Sequence, residues 1–346
     1  MRATVIYAPG DIRVEDVPEP TIIKPTDAII RTVATCVCGS DLWAYRGLAP
    51  VGDPHQMGHE YVGVVEEVGT DVTSVTPGQF VIGSFATSDN TCAHCRNGYQ
   101  SNCVHREFMG TCQSDVIRVP HADGTLVATP GQPDPDLVPS LLTLSDVMGT
   151  GWYAARAAEV TPGGTVVVVG DGAVGLCGVI AARELGADRI IAMSRHETRR
   201  KLALEFGATD IVEERGQDGI ARVMDLTGGI GADSVLECVG TDESMRQALA
   251  ITRPGGNVGF VGMPHGVELD AQQLFVSHVG LRGGPAPVRA YLRDLIDRVL
   301  SGRIEPGKVF DLTLPLEQVA EGYKAMDERR AIKALLRPAG LTLLGQ

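Results

Sequence analysis

Residues 165–186 read TVVVVGDGAVGLCGVIAARELG, and this stretch decides how the chain folds. A predicted strand runs into a glycine-rich turn, and the turn opens a segment with the apolar spacing of a helix. The Gly-x-Gly-x-x-Gly pattern lets the backbone turn tightly and approach a pyrophosphate, while the helix N-terminus supplies amide donors. The stretch therefore predicts dinucleotide binding, although plain turn glycines are the alternative. The predicted contacts are Gly170, Gly172, Ala173, Val174 and Gly175.

The segments around this unit indicate two domains. Residues 150–288 alternate apolar runs with helical segments, which predicts βαβ units and a parallel sheet buried on both faces. Residues 1–149 contain short β-rich runs broken by turn residues, which predicts an antiparallel β domain. The remaining residues, about 289–346, are predicted to complete that first domain.

The composition excludes several classes of function. The chain has 30 Lys plus Arg against 43 Asp plus Glu, a net charge of −13, which argues against nucleic-acid binding. No apolar run approaches the ~18 residues of a membrane span, and the first residues lack the pattern of a secretory signal, so we expect a cytoplasmic protein without membrane contact. The 8 Cys are clustered unevenly, which favours metal or catalytic use over disulfides.

The end of the second predicted strand bears on cofactor choice. NAD enzymes usually place an acid there to bind both ribose hydroxyls, but here the strand ends Met193-Ser194-Arg195 and Glu197 comes late. A hydroxyl and a guanidinium suit a 2′-phosphate, which a carboxylate repels. Ser194 and Arg195 therefore predict NADP(H) in preference to NAD(H), although these residues also fit an ordinary solvated helix start.

Two sets of residues predict metal sites. The polar loop SDNTCAHCRNGYQSNC carries three Cys at zinc spacing, with Asp89 where a fourth Cys would fit and His94 as the competing fourth ligand. The second set is dispersed and less specific, because Cys38 also fits a core position, His59-Glu60 a surface turn, and Asp146 a helix cap. The predicted ligands are Asp89, Cys92, Cys95 and Cys103 in the loop, and Cys38, His59 and Asp146 in the dispersed set.

The order of these motifs resembles the zinc-dependent alcohol dehydrogenases of the medium-chain dehydrogenase/reductase superfamily. The matching stretches are CGSD, GHEYVGVVEEVG, the Cys-rich loop, SDVMGTGWYAA, VVVVGDGAVG and RPGGNVGFVG, in that order. The resemblance implies a GroES-like β catalytic domain, a doubly wound Rossmann cofactor domain, one catalytic and one structural Zn²⁺, and Glu60 as an exchangeable ligand or supporting carboxylate. An Asp at the third ligand position, here Asp146, is typical of the NADP-linked secondary alcohol dehydrogenases. Val239 and Gly262, in the stretches ADSVLECVG and GNVGFVG, complete the predicted cofactor contacts.

Three positions depart from the family pattern. The loop has Asp89 where the family has Cys, Met193 stands where the secondary alcohol dehydrogenases have Gly, and Trp43 stands where the family often has His. The first departure bears on how strongly the loop binds its metal ion. The second bears on the choice between NADP(H) and NAD(H), and the third on the path of the proton. Trp has one N–H donor and no acceptor, so Trp43 is unable to receive a proton.

The predicted reaction is hydride transfer between an alcohol, or its ketone or aldehyde, and the nicotinamide cofactor. By resemblance Ser40 binds the reacting oxygen and relays its proton. Phe85 and Trp43 are expected to line the substrate pocket, because a pocket needs apolar walls, although both also fit core positions. We also expect a homodimer or homotetramer in which the apolar strand GNVGFVG, taken as the sheet edge, pairs with its twin. The alternatives are an NAD-linked polyol or aldehyde dehydrogenase, a zinc-free reductase of the same superfamily, or a non-catalytic nucleotide-binding protein.

Overall fold

The computed structural model describes residues 1–338. It divides into two compact units: Met1–Asp146 together with the described residues from Pro287 onward, and Val147–Ala286. Residues 339–346 of the segment expected to complete the first domain lie outside the described part. Within residues 1–338 there is no helix with the length and apolar character needed to cross a bilayer.

The first unit is built on β-sheets. A three-stranded sheet has the order β2-β1-β4, and a seven-stranded sheet has the order β15-β16-β3-β5-β6-β8, with β7 paired to β3. Its pairs are antiparallel except β15 with β16. The strands are β1 (Arg2–Ala8), β2 (Asp11–Asp16), β3 (Ala28–Cys36), β4 (His55–Gln56), β5 (Tyr61–Val68), β6 (Phe80–Gly83), β7 (Val116–Val119), β8 (Leu126–Ala128), β15 (Phe310–Pro315) and β16 (Lys333–Arg337).

The helices of the first unit are short before residue 147 and longer near the C-terminus. The apolar faces of β1, β16 and the last of these helices share one buried core, and β3, β5 and β6 contribute to another. The helices are α1 (Asp41–Tyr45), α2 (Ala93–Arg96), α3 (Ala122–Thr125), α4 (Val138–Thr143), α11 (Val288–Leu300) and α12 (Val319–Asp327).

The second unit contains a six-stranded parallel sheet of order β11-β10-β9-β12-β13-β14. The pure apolar run of residues 165–169 forms its central strand, because both faces of a parallel sheet are covered. The predicted fold class, a β domain with a doubly wound α/β domain, is confirmed. The elements are α5 (Val147–Ala157), β9 (Thr165–Val169), α6 (Ala173–Glu184), β10 (Arg189–Met193), α7 (Glu197–Phe206), β11 (Asp210–Val212), α8 (Gly216–Leu226), β12 (Ala232–Glu237), α9 (Asp242–Ile251), β13 (Thr252–Phe260), α10 (Ala271–Ser277) and β14 (Gly280–Gly283).

The predicted edge strand is wrong. The stretch GNVGFVG belongs to β13, which pairs with β12 on one side and with β14 on the other. The edge of the sheet is instead β14, a strand of four residues with the sequence GLRG. The apolar character of β13 reflects an interior position, whereas edge strands are commonly short and carry a charged residue.

Candidate functional site

Four of the predicted metal-ligating side chains meet in the first unit and are named here the buried cluster: Cys38, His59, Glu60 and Asp146. One donor atom from each lies within 4.8 Å of the others. Asp146 Oδ2 is 3.6 Å from Cys38 Sγ and 3.2 Å from His59 Nε2. The dispersed set of the sequence analysis is therefore one compact group of thiol, imidazole and carboxyl donors.

Strand pairing brings three members of the buried cluster together, namely Cys38, His59 and Glu60. β3 and β5 run antiparallel with Thr35 opposite Tyr61, so the residues after β3 face the residues before β5. The hydroxyl of Thr35 donates to the Glu60 carbonyl at 2.7 Å and fixes this junction. Gly58, which precedes His59, has φ of +93°, and a Cβ there would collide with Gln113, so the turn into β5 requires glycine.

Two residues that the sequence analysis did not assign support the buried cluster. Asp41 accepts a hydrogen bond from the Cys38 amide at 2.9 Å, and its other oxygen lies 3.4 Å from His59 Nδ1. The fully buried Lys333 donates to Glu60 Oε1 at 2.6 Å and to the Val37 carbonyl at 3.1 Å. The sequence does carry one signal for this second residue, because a lone lysine stands in the apolar stretch AIKALL.

Burial and neighbouring charges set the ionisation of this region. Burial raises the pKa of the Cys38 thiol above its ordinary value. Burial lowers the pKa of Lys333, but the neighbouring Cys36 and Glu60 side chains outweigh it and hold that pKa well above the ordinary value. Lys333 is therefore a cation, and it compensates the negative charge of Glu60.

The other predicted catalytic residues differ in their relation to the buried cluster. Phe85 lies edge-on to the His59 ring, with centroids 6.2 Å apart, so it borders the cluster. Ser40 is exposed and immediately precedes α1, two residues after Cys38. Trp43 is half-buried within α1.

The Cys-rich loop forms a second group, named here the loop cluster: Asp89, Cys92, Cys95 and Cys103. Its donor atoms also lie within 4.8 Å of one another. Cys92 Sγ is 3.5 Å from Cys95 Sγ and 4.0 Å from Cys103 Sγ. A hydrogen bond from the Cys95 amide is the main cause that lowers the pKa of Cys92 to about 7, which favours the thiolate that binds metals.

Asp89 is held firmly in the loop cluster. Its Oδ1 accepts from the amides of Thr91 and Cys92 at 2.8 and 3.0 Å, and its Oδ2 lies 2.8 Å from His105 Nδ1. The competing residue His94 lies in α2 and is not one of the four clustered side chains. The sequence analysis missed His105, which stands two residues after Cys103.

The predicted cofactor residues of the second unit meet at the carboxyl ends of β9, β12 and β13. Gly170 has φ of +115°, and a Cβ there would approach the Val239 side chain to 2.8 Å. A Cβ at Gly175 would collide with the Gly170 carbonyl, and one at Gly262 with the backbone of Val239 and Gly240. Gly172, which caps α6, faces open space instead. The loop thus leaves room at the N-terminus of α6, where the first amides lack partners within the helix.

An acid of the glycine loop, which the sequence analysis did not assign, lies beside the end of β10. The Ser194 hydroxyl donates to Asp171 Oδ2 at 2.8 Å, and Arg199 Nη1 donates to Asp171 Oδ1 at 3.1 Å. Arg195 is exposed and makes no hydrogen bond or ion pair with any residue among 1–338. The two predicted phosphate-binding residues are therefore unlike: Ser194 already has a partner, and Arg195 is available.

Comparisons with known proteins bear on this arrangement. Residues 24–131 match the alcohol dehydrogenase GroES-like domain, and residues 173–301 match the zinc-binding dehydrogenase family. The zinc-type alcohol dehydrogenase B of Aspergillus flavus is 32% identical over 97% of this chain and 81% of its own length. The chain belongs to the zinc-dependent alcohol dehydrogenases of the medium-chain dehydrogenase/reductase superfamily.

Further relatives of this alcohol dehydrogenase agree with that assignment. An NADP-dependent isopropanol dehydrogenase of Entamoeba histolytica is 30% identical over 90% of this chain and 89% of its own. The solved structure of the alcohol dehydrogenase TADH from Thermus sp. ATN1 superposes with a TM-score of 0.90 at 32% identity, covering 98% of this chain and 100% of its own. The resemblance given by the motifs is thus confirmed, and the chain is an alcohol dehydrogenase.

Proposed function

We propose that this alcohol dehydrogenase transfers a hydride between an alcohol, preferably a secondary one, or its ketone or aldehyde, and NADP(H). The buried cluster is the observation that carries the proposal, because a thiol, an imidazole and two carboxyl groups within 4.8 Å form a metal-binding donor set. The parallel sheet and its glycine loop support the cofactor half of the proposal. The Entamoeba relative, an NADP-dependent isopropanol dehydrogenase, supports both NADP and a secondary alcohol.

The side chains of the buried cluster fit a zinc ion. Thiolate, imidazole and carboxylate are the ligands that zinc prefers in proteins, and Glu60 Oε2 is buried without a hydrogen-bond partner among the described residues. We assign Cys38, His59 and Asp146 as ligands and Glu60 as an exchangeable ligand. When bound, zinc polarises the substrate oxygen as a Lewis acid.

Residues around the buried cluster orient the ligands. Asp41 contacts the Nδ1 side of His59, which keeps the Nε2 side turned towards Asp146. Lys333 engages Oε1 of Glu60, so Oε2 is the oxygen left to exchange. These two contacts hold the imidazole and the carboxylate without adding further ligands.

We assign Ser40 to the proton of the reacting oxygen and Phe85 to the wall of the substrate pocket. The exposed position of Ser40 supports this role, because its hydroxyl is able to exchange hydrogen bonds with substrate and with water. The edge-on contact of Phe85 with His59 supports an apolar surface beside the ligands. Trp43 is unable to accept a proton, so it does not continue this relay, and water would carry the proton away from Ser40.

The loop cluster fits a second zinc ion of structural role. Its four donors come from one short loop and include three thiols, which is the donor chemistry of closed zinc sites. Asp89 is the proposed fourth ligand, and the contact with His105 supports its orientation. A closed site of this kind stabilises the fold and does not bind substrate.

The cofactor assignment rests on the second unit. The pyrophosphate is assigned to the amides at the start of α6 and to Gly172, and the adenosine 2′-phosphate to Arg195 with Ser194. The exposed guanidinium of Arg195, which is unpaired among residues 1–338, supports a phosphate. Buried Met193 in place of an acid removes the usual partner of the ribose hydroxyls. Val239 and Gly262, which follow β12 and β13, are also assigned to the cofactor.

We further propose a homo-oligomer formed through the open edge of β14. Phe275 and Val276, in the helix just before this strand, are 82% and 70% exposed. Apolar side chains beside an unpaired strand edge favour pairing with a second copy.

Elemental analysis together with cofactor kinetics tests the proposal. We expect two zinc ions per chain and a higher kcat/KM with NADP(H) than with NAD(H) on a panel of secondary alcohols and ketones. One ion, or none, would remove half or all of the metal assignment. Equal or better use of NAD(H) would overturn the cofactor assignment and leave the metal assignment standing.

A further inference from the structure

The acid of the glycine loop, Asp171, reaches from the turn after β9 to the end of β10. Its carboxyl group is 10% exposed and accepts from the Ser194 hydroxyl at 2.8 Å and from Arg199 at 3.1 Å. NAD enzymes with this fold carry an acid at the end of the second strand, and here that position is Met193. A carboxylate is nevertheless present at this corner, supplied by the neighbouring loop.

The single hydroxyl hydrogen of Ser194 decides which hydrogen bonds this serine is able to offer a ligand. A hydroxyl has one hydrogen to donate, and that of Ser194 is donated to Asp171. Ser194 is only 1% exposed, so its hydroxyl faces Asp171 and not solvent. A 2′-phosphate needs donors, so it receives this hydrogen only after the Ser194–Asp171 bond breaks.

The negative charge of Asp171 also disfavours binding of a 2′-phosphate. Burial raises the pKa of Asp171, but the hydrogen bond from Ser194 and the charge of Arg199 outweigh it and hold that pKa below the ordinary value. The group is therefore an anion at neutral pH. It binds the Arg199 guanidinium, whereas the exposed Arg195 makes no hydrogen bond or ion pair with residues 1–338.

We propose that Asp171 is a specificity-determining residue for the cofactor: it holds the Ser194 hydrogen and the Arg199 guanidinium that a 2′-phosphate would use, and so limits the preference for NADP(H) over NAD(H). The inference rests on the proposed NADP(H) preference, which it deepens. A ribose 2′-hydroxyl pays no such penalty, because it has its own hydrogen to donate to the Ser194 oxygen.

The substitution Asp171→Asn tests the proposal with almost no change in shape. The Asn amide donates to the Ser194 oxygen, which frees the serine hydrogen for a phosphate, and the negative charge is gone. We expect the ratio of kcat/KM for NADP(H) to that for NAD(H) to rise about tenfold, mainly through KM for NADP(H). Asp171→Ala, which removes the acceptor altogether, must shift the ratio in the same direction.

Calorimetry on the full-length protein gives a readout that does not depend on turnover. Adenosine 2′,5′-bisphosphate should bind the Asp171→Asn variant about tenfold more tightly than the wild type, and 5′-AMP should bind both within about twofold. Asp233→Asn is the matched control, because Asp233 also pairs with an arginine, Arg253 at 2.6 Å, but lies at the amino end of β12. It should leave both affinities unchanged.

A double-mutant cycle with Ser194→Ala isolates the hydrogen-bond competition. Without the serine hydroxyl, the gain from Asp171→Asn should fall to about threefold or less, the part due to charge alone. An equal gain in both backgrounds overturns the competition for the hydrogen, and an unchanged or falling NADP(H) ratio in Asp171→Asn and Asp171→Ala overturns the proposal. The wild-type ratio alone tests the NADP(H) preference, so the two failures are distinguishable.

Discussion

The buried ion pair between Lys333 and Glu60 yields the sharpest stability prediction. Both side chains are 1% exposed, and the two charged groups are 2.6 Å apart. Lys333→Met keeps most of the length of the side chain but leaves the Glu60 carboxylate without its counter-charge and the Val37 carbonyl without the lysine donor. Removing one partner of a buried pair costs about 3–5 kcal/mol.

This loss of unfolding free energy corresponds to a fall in melting temperature. A loss of about 4 kcal/mol in a unit of this size corresponds to a fall in Tm of about 8–16 °C. Circular dichroism melts of the wild type and the variant, at equal zinc content, measure it. Lys308→Met is the matched control in the same unit, because Lys308 and Glu305 are 2.7 Å apart but about half exposed, and an exposed pair contributes at most about 1 kcal/mol.

A second variant separates the charge effect from lost packing. The double substitution Lys333→Met with Glu60→Gln removes both charges, so it should regain more than half of the Tm lost in the single Lys333 variant. The reasoning is refuted if Lys333→Met melts within about 2 °C of Lys308→Met, or if the double variant is as unstable as the single one.

Three further predictions concern the two metal clusters, the cofactor and the proton. Cys38→Ser should abolish turnover with little change in Tm, whereas Cys95→Ser should mainly lower Tm, and equal behaviour of the two would contradict the division of roles. Arg195→Asp should lower the NADP(H):NAD(H) ratio of kcat/KM about tenfold or more, because it replaces a hydrogen-bond donor to the 2′-phosphate by a repelling negative charge. Steady-state kinetics with both cofactors measure this ratio, and an unchanged ratio contradicts the assignment. Ser40→Ala should reduce kcat roughly 10²–10⁴-fold, while Trp43→His should alter mainly the pH profile; near-normal turnover in the serine variant would show that water reaches the reacting oxygen directly.

Features formed by residues close in sequence were the ones that the sequence predicted well. The loop cluster comes from one segment, Asp89 to Cys103, so the Cys spacing alone indicated it. The glycine turn and the helix after it are equally local, because glycine geometry and apolar periodicity act within a few residues. His105 was not predicted, because its contact with Asp89 depends on how the loop folds back.

The buried cluster could not be derived from spacing. Asp146 Oδ2 meets Cys38 Sγ across 108 positions of sequence, whereas the pairing of β3 with β5 brings only Cys38, His59 and Glu60 together. The order of the motifs, compared with that of a known family, was what indicated the full set. Lys333 is more distant still, because β16 pairs with β3 from the far end of the chain, and the stretch AIKALL signals only that its lysine is buried.

Asp171 shows a different limit of sequence reasoning. The Gly-x-Gly-x-x-Gly pattern leaves the residues between the glycines unspecified, so it assigns no role to the acid between Gly170 and Gly172. Its partners Ser194 and Arg199 lie on the next strand and helix, and parallel strands bring their carboxyl ends together at one edge of the sheet. The identity of an intervening residue becomes informative only once that neighbourhood is known.

The open edge of the parallel sheet supports one last prediction. The amide of Gly284 donates to the Phe260 carbonyl of β13, and backbone direction alternates along a strand, so the amide of Leu281 faces the open edge of β14. Leu281→Pro removes that outward donor without removing a bond to β13, and it should convert the proposed oligomer to a smaller species in light scattering. Leu281→Ala retains the amide and should leave the assembly intact. Oligomers of the same mass in both variants, or dissociation in both, would show that backbone pairing at this edge does not hold the subunits together.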